Sequence, residues 1–156
     1  MSRSRHVRLI ETWYDRMWNR WDKSAFEEIL TPDIAFRGSL GQVTRGYDGL
    51  SEYMDFIRTA FPDFTNRIED IISEGEKAFA RLTYIGTHAG ELFGVAPTHK
   101  EVTYAGAAVF SCEGEKIREV WVLGDIHGLL RQLHERDGIS QGTTLGRQAS
   151  VEGEEG

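Results

Sequence analysis

Apolar side chains recur at helical spacing through the first third of the chain and alternate along strands after it. The first helical stripe is unusually aromatic and consists of Ile10, Trp13, Tyr14, Met17, Trp18 and Trp21. The segment "SAFE", residues 24–27, has the pattern of a capping box and predicts a second, short helix. A third helix is predicted from the apolar stripe over residues 50–61, with Asp48 as its N-cap. The pattern therefore predicts three helices in the N-terminal part.

The pattern changes to strands after Pro62. Four strands are predicted, over residues 64–72, 78–92, 102–112 and 117–123, and a shorter strand pair is predicted around the turn at residues 38–41. Helices followed by a run of strands indicate an α+β fold, with the helices packed on one face of an antiparallel sheet. We expect the curved sheet and its three N-terminal helices to form a cone with an apolar mouth.

Composition and charge narrow the classes of protein. The 156 residues, with 40% hydrophobic and 28% charged side chains, fit one globular domain over residues 1–137. Residues 138–156 are rich in glycine, polar and acidic, and are predicted to be a disordered tail. The net charge of −7 argues against a nucleic-acid partner, and no apolar run predicts a membrane span. The single cysteine, Cys112, fits a cytoplasmic location.

A carboxylate stands where the last predicted strand meets a helix, in "VWVLGDIHGLLRQL". By strand alternation, Asp125 shares a face with Trp121 and Leu123, whereas Val120 and Val122 take the opposite face. If the Trp121 face lines the cone, Asp125 lies in an apolar pocket. Lost hydration raises the pKa of a carboxyl group there and suits it to acid/base catalysis. If the Val120 face lines the cone instead, Asp125 is only a helix cap. The hydrophobicity of the two faces does not decide between these alternatives.

The remaining polar candidates are less specific. His88, in "GTHAG", would face the pocket or be a structural histidine on its strand. Small residues in the middle of strand 102–112 would leave room for a planar ligand, or would let the first helix pack closely. The sequence contains no metal-ligand spacing, no nucleotide-binding loop and no nucleophile motif. We therefore expect no metal and no cofactor.

Three motifs resemble those of a known family: "AFPDF", "GTHAGELFGVAPT" and "EKIREVW…GDIHGLLRQL". With them, roughly residues 6–135 resemble the SnoaL-like family of ester-cyclase and polyketide-cyclase relatives, within the NTF2-like fold. The resemblance implies a cone-shaped homodimer packed sheet to sheet, and an aldol-type ring closure without a cofactor. It also implies that Asp125 is the acid/base, and it matches His88 to the histidine of the family's G-x-H-x-G stretch.

The resemblance breaks down on the strand predicted over residues 102–112. The family's polyketide cyclases carry a glutamine and a histidine at positions that correspond here to Gly106 and Ala108. Without those donors, the oxygen of a carbonyl or enolate substrate lacks its expected stabiliser. Either His88 or Tyr104 would take that role, or the substrate and the reaction differ.

The sequence thus predicts a cofactor-independent enzyme that performs an aldol-type cyclisation or isomerisation on a hydrophobic carbonyl compound. Asp125 and His88 are the predicted catalytic residues. The predicted pocket residues are Tyr14, Trp18, Phe36, Tyr104 and Trp121. Two alternatives remain: a non-catalytic module of the same fold that binds a small apolar ligand, and a structural dimer whose cone is filled. The expected partners are a hydrophobic small molecule and a second copy of the chain.

Overall fold

The computed structural model describes residues 2–135, with side chains from Arg5 onward. The tail predicted over residues 138–156 lies outside the described residues. Within them, helices pack on the inner face of a curved, unclosed six-stranded sheet. This arrangement confirms the predicted α+β class.

The helices keep the predicted order but differ in detail. Helix α1, Ser2–Thr12, continues into a π-helical turn, Trp13–Trp18, in which Asn19 N donates to Tyr14 O over 2.8 Å. A short helical turn, Lys23–Ala25, leads into α2, Phe26–Ile29; the later helices are α3, Gly46–Ala60, and α4, Ile126–His134. The wider π-helical turn buries Trp13, Tyr14, Met17 and Trp18 together on the sheet side.

Both predicted N-caps are wrong. Ser24 does not cap the second helix, because Asp22 Oδ1 accepts hydrogen bonds from Ser24 N at 3.0 Å and from Ser24 Oγ at 2.5 Å. Asp48 lies inside the first turn of α3, which begins at Gly46. The φ angle of 83° at Gly46 allows the preceding strand to turn straight into the helix.

The six strands are β1 Leu30–Arg37, β2 Val43–Arg45, β3 Thr65–Glu74, β4 Lys77–Thr87, β5 Glu101–Glu113 and β6 Lys116–Gly124. Their order in the sheet is β2-β1-β6-β5-β4-β3. The β1–β6 pair is parallel and the other pairs are antiparallel. Strand β4 ends at Thr87 rather than at Leu92, because His88 N bonds to Lys100 O and the chain leaves the sheet in a loop.

The alternation of β6 decides which of its faces packs against the helices. Val120 and Val122 are buried in the core, whereas Trp121 and Leu123 are 42% and 52% exposed on the outer face.

Cys112, on β5, is buried as well, and burial raises the pKa of its thiol to about 11. None of the helices in residues 2–135 combines the length and the apolar composition that a membrane crossing requires.

Candidate functional site

A small cavity lies between the π-helical turn, α3 and the inner face of the sheet. It encloses about 30 Å³, which is room for one or two water molecules, and about 310 Å³ when the space toward its mouth is included. Its wall is formed by Trp13, Tyr14, Trp18, Phe36, Ser39, Tyr53, Phe64, Asn66, Tyr84 and Val122. The wall is mainly aromatic, and neither a carboxylate nor an imidazole is among these residues.

Four tyrosines meet around this cavity. Tyr14, Tyr53 and Tyr84 line it, and Tyr104 packs against Tyr84 with the ring centroids 5.0 Å apart. Burial raises the pKa of all four phenols, so each hydroxyl stays protonated near neutral pH. The other three phenols raise the pKa of Tyr84 further, as expected where hydroxyl groups lie near one another. The cavity is therefore surrounded by neutral hydrogen-bond donors.

Two of these hydroxyls are buried without a hydrogen-bond partner. The Tyr14 hydroxyl lies beside the Trp13 indole and the Tyr104 hydroxyl beside Ser39, but neither contact has hydrogen-bond geometry. An unsatisfied buried hydroxyl costs about 1–3 kcal/mol of stability. Tyr53 differs, because its hydroxyl accepts a long hydrogen bond of 3.4 Å from Leu40 N. Tyr14 and Tyr104 thus hold donors that no described residue accepts.

Tyr84 occupies the space in front of Gly106, one of the two positions where the resemblance implied a polar side chain. A Cβ atom at Gly106 would lie 2.3 Å from Tyr84 Cε2. The phenol therefore fills the volume that a longer side chain would need, and it brings a donor to the same region. Sequence reasoning missed Tyr84, although strand alternation placed it on the face of Gly86 and His88.

The predicted pocket residues divide into two groups. Tyr14, Trp18 and Phe36 line the cavity, and their contact with a substrate stays a prediction. Tyr104 is buried against Tyr84 and is not among the residues of the wall, although its hydroxyl lies beside Ser39, which is. The placement of Trp121 in the pocket is wrong, since its ring lies on the outer face of the sheet. There the Arg37 guanidinium packs 5.2 Å from the ring centroid.

Of the two orientations left open for Asp125, the structure has the outward one, in which the side chain caps a helix, so the inward orientation on which the acid/base role depended is wrong. The side chain is exposed, and Asp125 Oδ1 accepts a hydrogen bond of 2.9 Å from Gly128 N as the N-cap of α4. The exposure removes the desolvation on which its acid/base role was predicted. Asp125 follows Gly124, whose Cβ would meet Ser39 Cβ at 2.9 Å, so the Asp125 backbone lies near the Ser39 end of the cavity, while its side chain is exposed. Its catalytic role stays a prediction.

His88 is hydrogen-bonded to the far end of the loop that follows β4, and it does not line the cavity. Its Nδ1 accepts a hydrogen bond of 3.1 Å from Thr98 N and lies 3.0 Å from Thr98 Oγ1. The imidazole packs against Phe61, with the centroids 5.9 Å apart, and burial lowers its pKa. His88 therefore ties the start of the loop to its end. Of the two alternatives for His88, the structure has the structural histidine, and the alternative in which it faces the pocket is wrong.

The curved sheet and the helices over its inner face define an NTF2-like fold with an aromatic internal cavity. The family model for SnoaL-like polyketide cyclases matches residues 8–133, so the chain belongs to the SnoaL-like polyketide cyclase family.

Solved structures show the same fold. A candidate SnoaL-like polyketide cyclase from Jannaschia sp. CCS1 aligns with a TM-score of 0.78 and 16% identity, over 86% of this chain and 94% of that chain. TsrD from Streptomyces laurentii aligns with a TM-score of 0.76 and 24% identity, over 86% and 98%. IdmH from Streptomyces antibioticus, a candidate polyketide cyclase, aligns with a TM-score of 0.72 and 24% identity, over 81% and 96%. The comparison with curated proteins finds no match.

Proposed function

We propose that this protein is a cofactor-independent, cyclase-like enzyme that acts on a hydrophobic carbonyl compound bound in the aromatic cavity. The observation that carries the proposal is the pair of partnerless, protonated phenols, Tyr14 and Tyr104, beside Tyr84. In an aldol-type step, negative charge grows on a carbonyl oxygen as it becomes an enolate or an alkoxide. Neutral donors in a dry site stabilise that charge, and one such donor contributes about 10²–10³-fold to the rate.

The size of the cavity sets a condition on this proposal. The enclosed volume of about 30 Å³ holds water but no polyketide, so a ligand has to use the open space at the mouth or displace side chains of the wall. A ligand therefore has to bind from the mouth inward, with its carbonyl oxygen toward the phenols. We infer that the remainder of the ligand extends past Ser39 toward Asp125.

Asp125 is the proton-transfer group of this proposal, acting from the rim. Its Oδ1 caps α4, and Oδ2 accepts no hydrogen bond from the described residues. A ligand lying over the rim would cover this carboxylate and supply the desolvation that the free protein lacks. Asp125→Asn is expected to keep the cap and lose turnover, whereas Asp125→Ala is expected to lose turnover and about 1 kcal/mol of stability.

The test measures ring closure of a panel of aromatic β-keto esters that carry a second ketone five or six atoms from the nucleophilic carbon. Chromatography separates the cyclic isomer from the substrate, mass spectrometry detects any loss of water, and urea denaturation measures stability. The two substitutions serve as controls for each other, because only the alanine variant lacks the capping acceptor. Normal turnover by folded Asp125→Asn would rule out the acid/base role of Asp125.

A second candidate function is a non-catalytic module that binds a hydrophobic small molecule. It is favoured by the composition of the wall, in which neither a carboxylate nor an imidazole is among the residues. This function predicts that the aromatic esters bind and raise the melting temperature, that no product forms, and that Asp125→Asn leaves their affinity unchanged. The same panel therefore separates the two functions.

We also propose that the chain forms a homodimer through the outer face of β5 and β6. Support comes from exposed Trp121 and Leu123 on β6, and from the small side chain of Ala105 on the neighbouring strand. Leu123→Glu is expected to convert a dimer to a monomer in light scattering after gel filtration. Phe56→Glu is the control, because Phe56 is 39% exposed on α3, away from that face. A wild-type monomer would contradict this proposal.

The predicted cytoplasmic location stays a proposal as well. It is supported by the single cysteine of the chain, Cys112, which is buried and free.

A further inference from the structure

One polar side chain in the cavity wall is an amide. Asn66 lies on β3, the edge strand of the sheet, and is 5% exposed with its side chain in the wall of the cavity. A buried amide carries two donors and an acceptor whose positions are fixed by the orientation of the group. The orientation of Asn66 therefore decides which groups the cavity can recognise.

Asn19, which follows the π-helical turn, pairs with the backbone of Asn66 as a neighbouring strand would. Asn19 Nδ2 donates to Asn66 O at 3.0 Å, and Asn66 N donates to Asn19 Oδ1 at 2.7 Å. A backbone N–H can only donate and a backbone carbonyl can only accept. These two bonds therefore fix the orientation of the Asn19 amide without ambiguity.

The orientation of Asn66 follows from that of Asn19. An atom of the Asn66 amide lies 3.2 Å from Asn19 Oδ1, which is an acceptor, so this atom is the donor Nδ2. Asn66 Oδ1 is then the end of the amide directed away from Asn19, it accepts no hydrogen bond from the described residues, and it belongs to a residue that lines the cavity. A flip would bring two acceptors together and is disfavoured. The hydrogen bonds to Asn19 thus leave Oδ1 as the free acceptor of a residue in the cavity wall.

We propose that Asn66 is a specificity-determining residue, whose Oδ1 accepts a hydrogen bond from a hydroxyl group of the ligand. This inference rests on the proposed function, in which the phenols donate to a carbonyl oxygen of the same ligand. The site then selects compounds with an oxygen acceptor at the phenols and a phenolic or enolic hydroxyl at Asn66. A site built to bond a hydroxyl discriminates strongly against analogues that lack one, because its own polar group is left unpaired.

The experiment compares naphthol with its methyl ether, which share the ring system but differ in the ability to donate a hydrogen bond. Binding is measured by quenching of tryptophan fluorescence, since Trp13 and Trp18 line the cavity. Wild-type protein is expected to bind naphthol about tenfold or more tightly than the ether, as one net hydrogen bond implies. The Asn66→Leu variant is expected to lose this preference and to bind the ether with the same affinity as wild-type protein.

Asn19→Ala supplies a second variant that leaves the Asn66 side chain in place. Without Asn19 Oδ1, the Asn66 amide can turn and present its donor, so we expect the preference for naphthol to fall and the affinity for the ether to rise. If Asn19 has only a structural role, Asn19→Ala would lower the affinity for both probes equally. That result would contradict the positioning argument.

The wild-type comparison requires no folded variant. Equal affinities of wild-type protein for naphthol and its ether would overturn the role of Asn66 and leave the proposed function intact. If neither probe binds, the cavity is not a site for aromatic ligands, and the proposed function fails together with this inference.

Discussion

The double substitution Tyr14→Phe and Tyr104→Phe is expected to stabilise the protein and to weaken ligand binding. Each substitution removes a buried hydroxyl that has no hydrogen-bond partner and keeps the aromatic ring. The free energy of unfolding should rise by about 1–3 kcal/mol for each hydroxyl removed, measured by urea denaturation. In the same variant, acetylnaphthalene should bind at least tenfold more weakly, whereas isopropylnaphthalene, which has the same shape and no carbonyl, should bind unchanged.

Tyr47→Phe is the matched control for the stability change. The Tyr47 hydroxyl donates to Leu30 O at 3.0 Å, so its removal leaves that carbonyl without this donor. The free energy of unfolding should fall by about 1 kcal/mol. The double variant and Tyr47→Phe are therefore expected to change the free energy of unfolding in opposite directions. A loss of stability in the double variant would show that the two phenols are hydrogen-bonded in solution, for example to water, and would remove the main support for the proposed function.

Gly106→Ala is expected to destabilise the protein and close the cavity. The new Cβ atom would lie 2.3 Å from Tyr84 Cε2, so the Tyr84 ring has to move. Phe64 and Tyr104 pack against this ring, with centroids 5.6 and 5.0 Å away, and oppose its movement. Overpacking of this kind typically costs about 1–3 kcal/mol. The free energy of unfolding and the affinity for acetylnaphthalene should both fall.

Ala89→Ser is the control for Gly106→Ala, because it adds one heavy atom to an exposed residue in the loop after β4, outside β5 and β6. Its effect on stability and on binding should be small. Wild-type stability of Gly106→Ala, with unchanged affinity, would mean that the Tyr84 ring moves freely. The phenols would then not be held in place by the surrounding rings.

Local sequence patterns predicted most of the fold because they report which residues are apolar and at what spacing. The aromatic stripe, which lies mainly in the π-helical turn after α1, and the strand alternation of β4 to β6 located the elements and the fold class correctly. The predictions of the N-caps were wrong for a local reason. Asp22 caps the turn before α2, and α3 begins at Gly46, two residues before the predicted cap. The predicted end of β4 was wrong because the strand stops where His88 N bonds to Lys100 O, which lies in a different segment of the chain.

The candidate site was harder to predict. Tyr14, Trp18 and Phe36 were placed in the cavity because large aromatic residues on a helix or strand face are usually buried. Tyr84 and Asn66 were missed, since their contacts with Gly106 and Asn19 join parts of the chain that are far apart in sequence. The face of β6 could not be chosen, because Trp121 and Val122 are both apolar.

The sequence by itself determined the family motifs, the order of the elements and the aromatic character of the pocket, because these depend on residue type and short-range spacing. Only the tertiary structure decided that Val122 packs inward and that Asp125 is therefore exposed as a helix cap. It also decided that phenols and one oriented amide, rather than a buried carboxylate, surround the cavity. The physical reason is that burial and hydrogen-bond partners come from residues on several elements, which spacing along the chain does not encode.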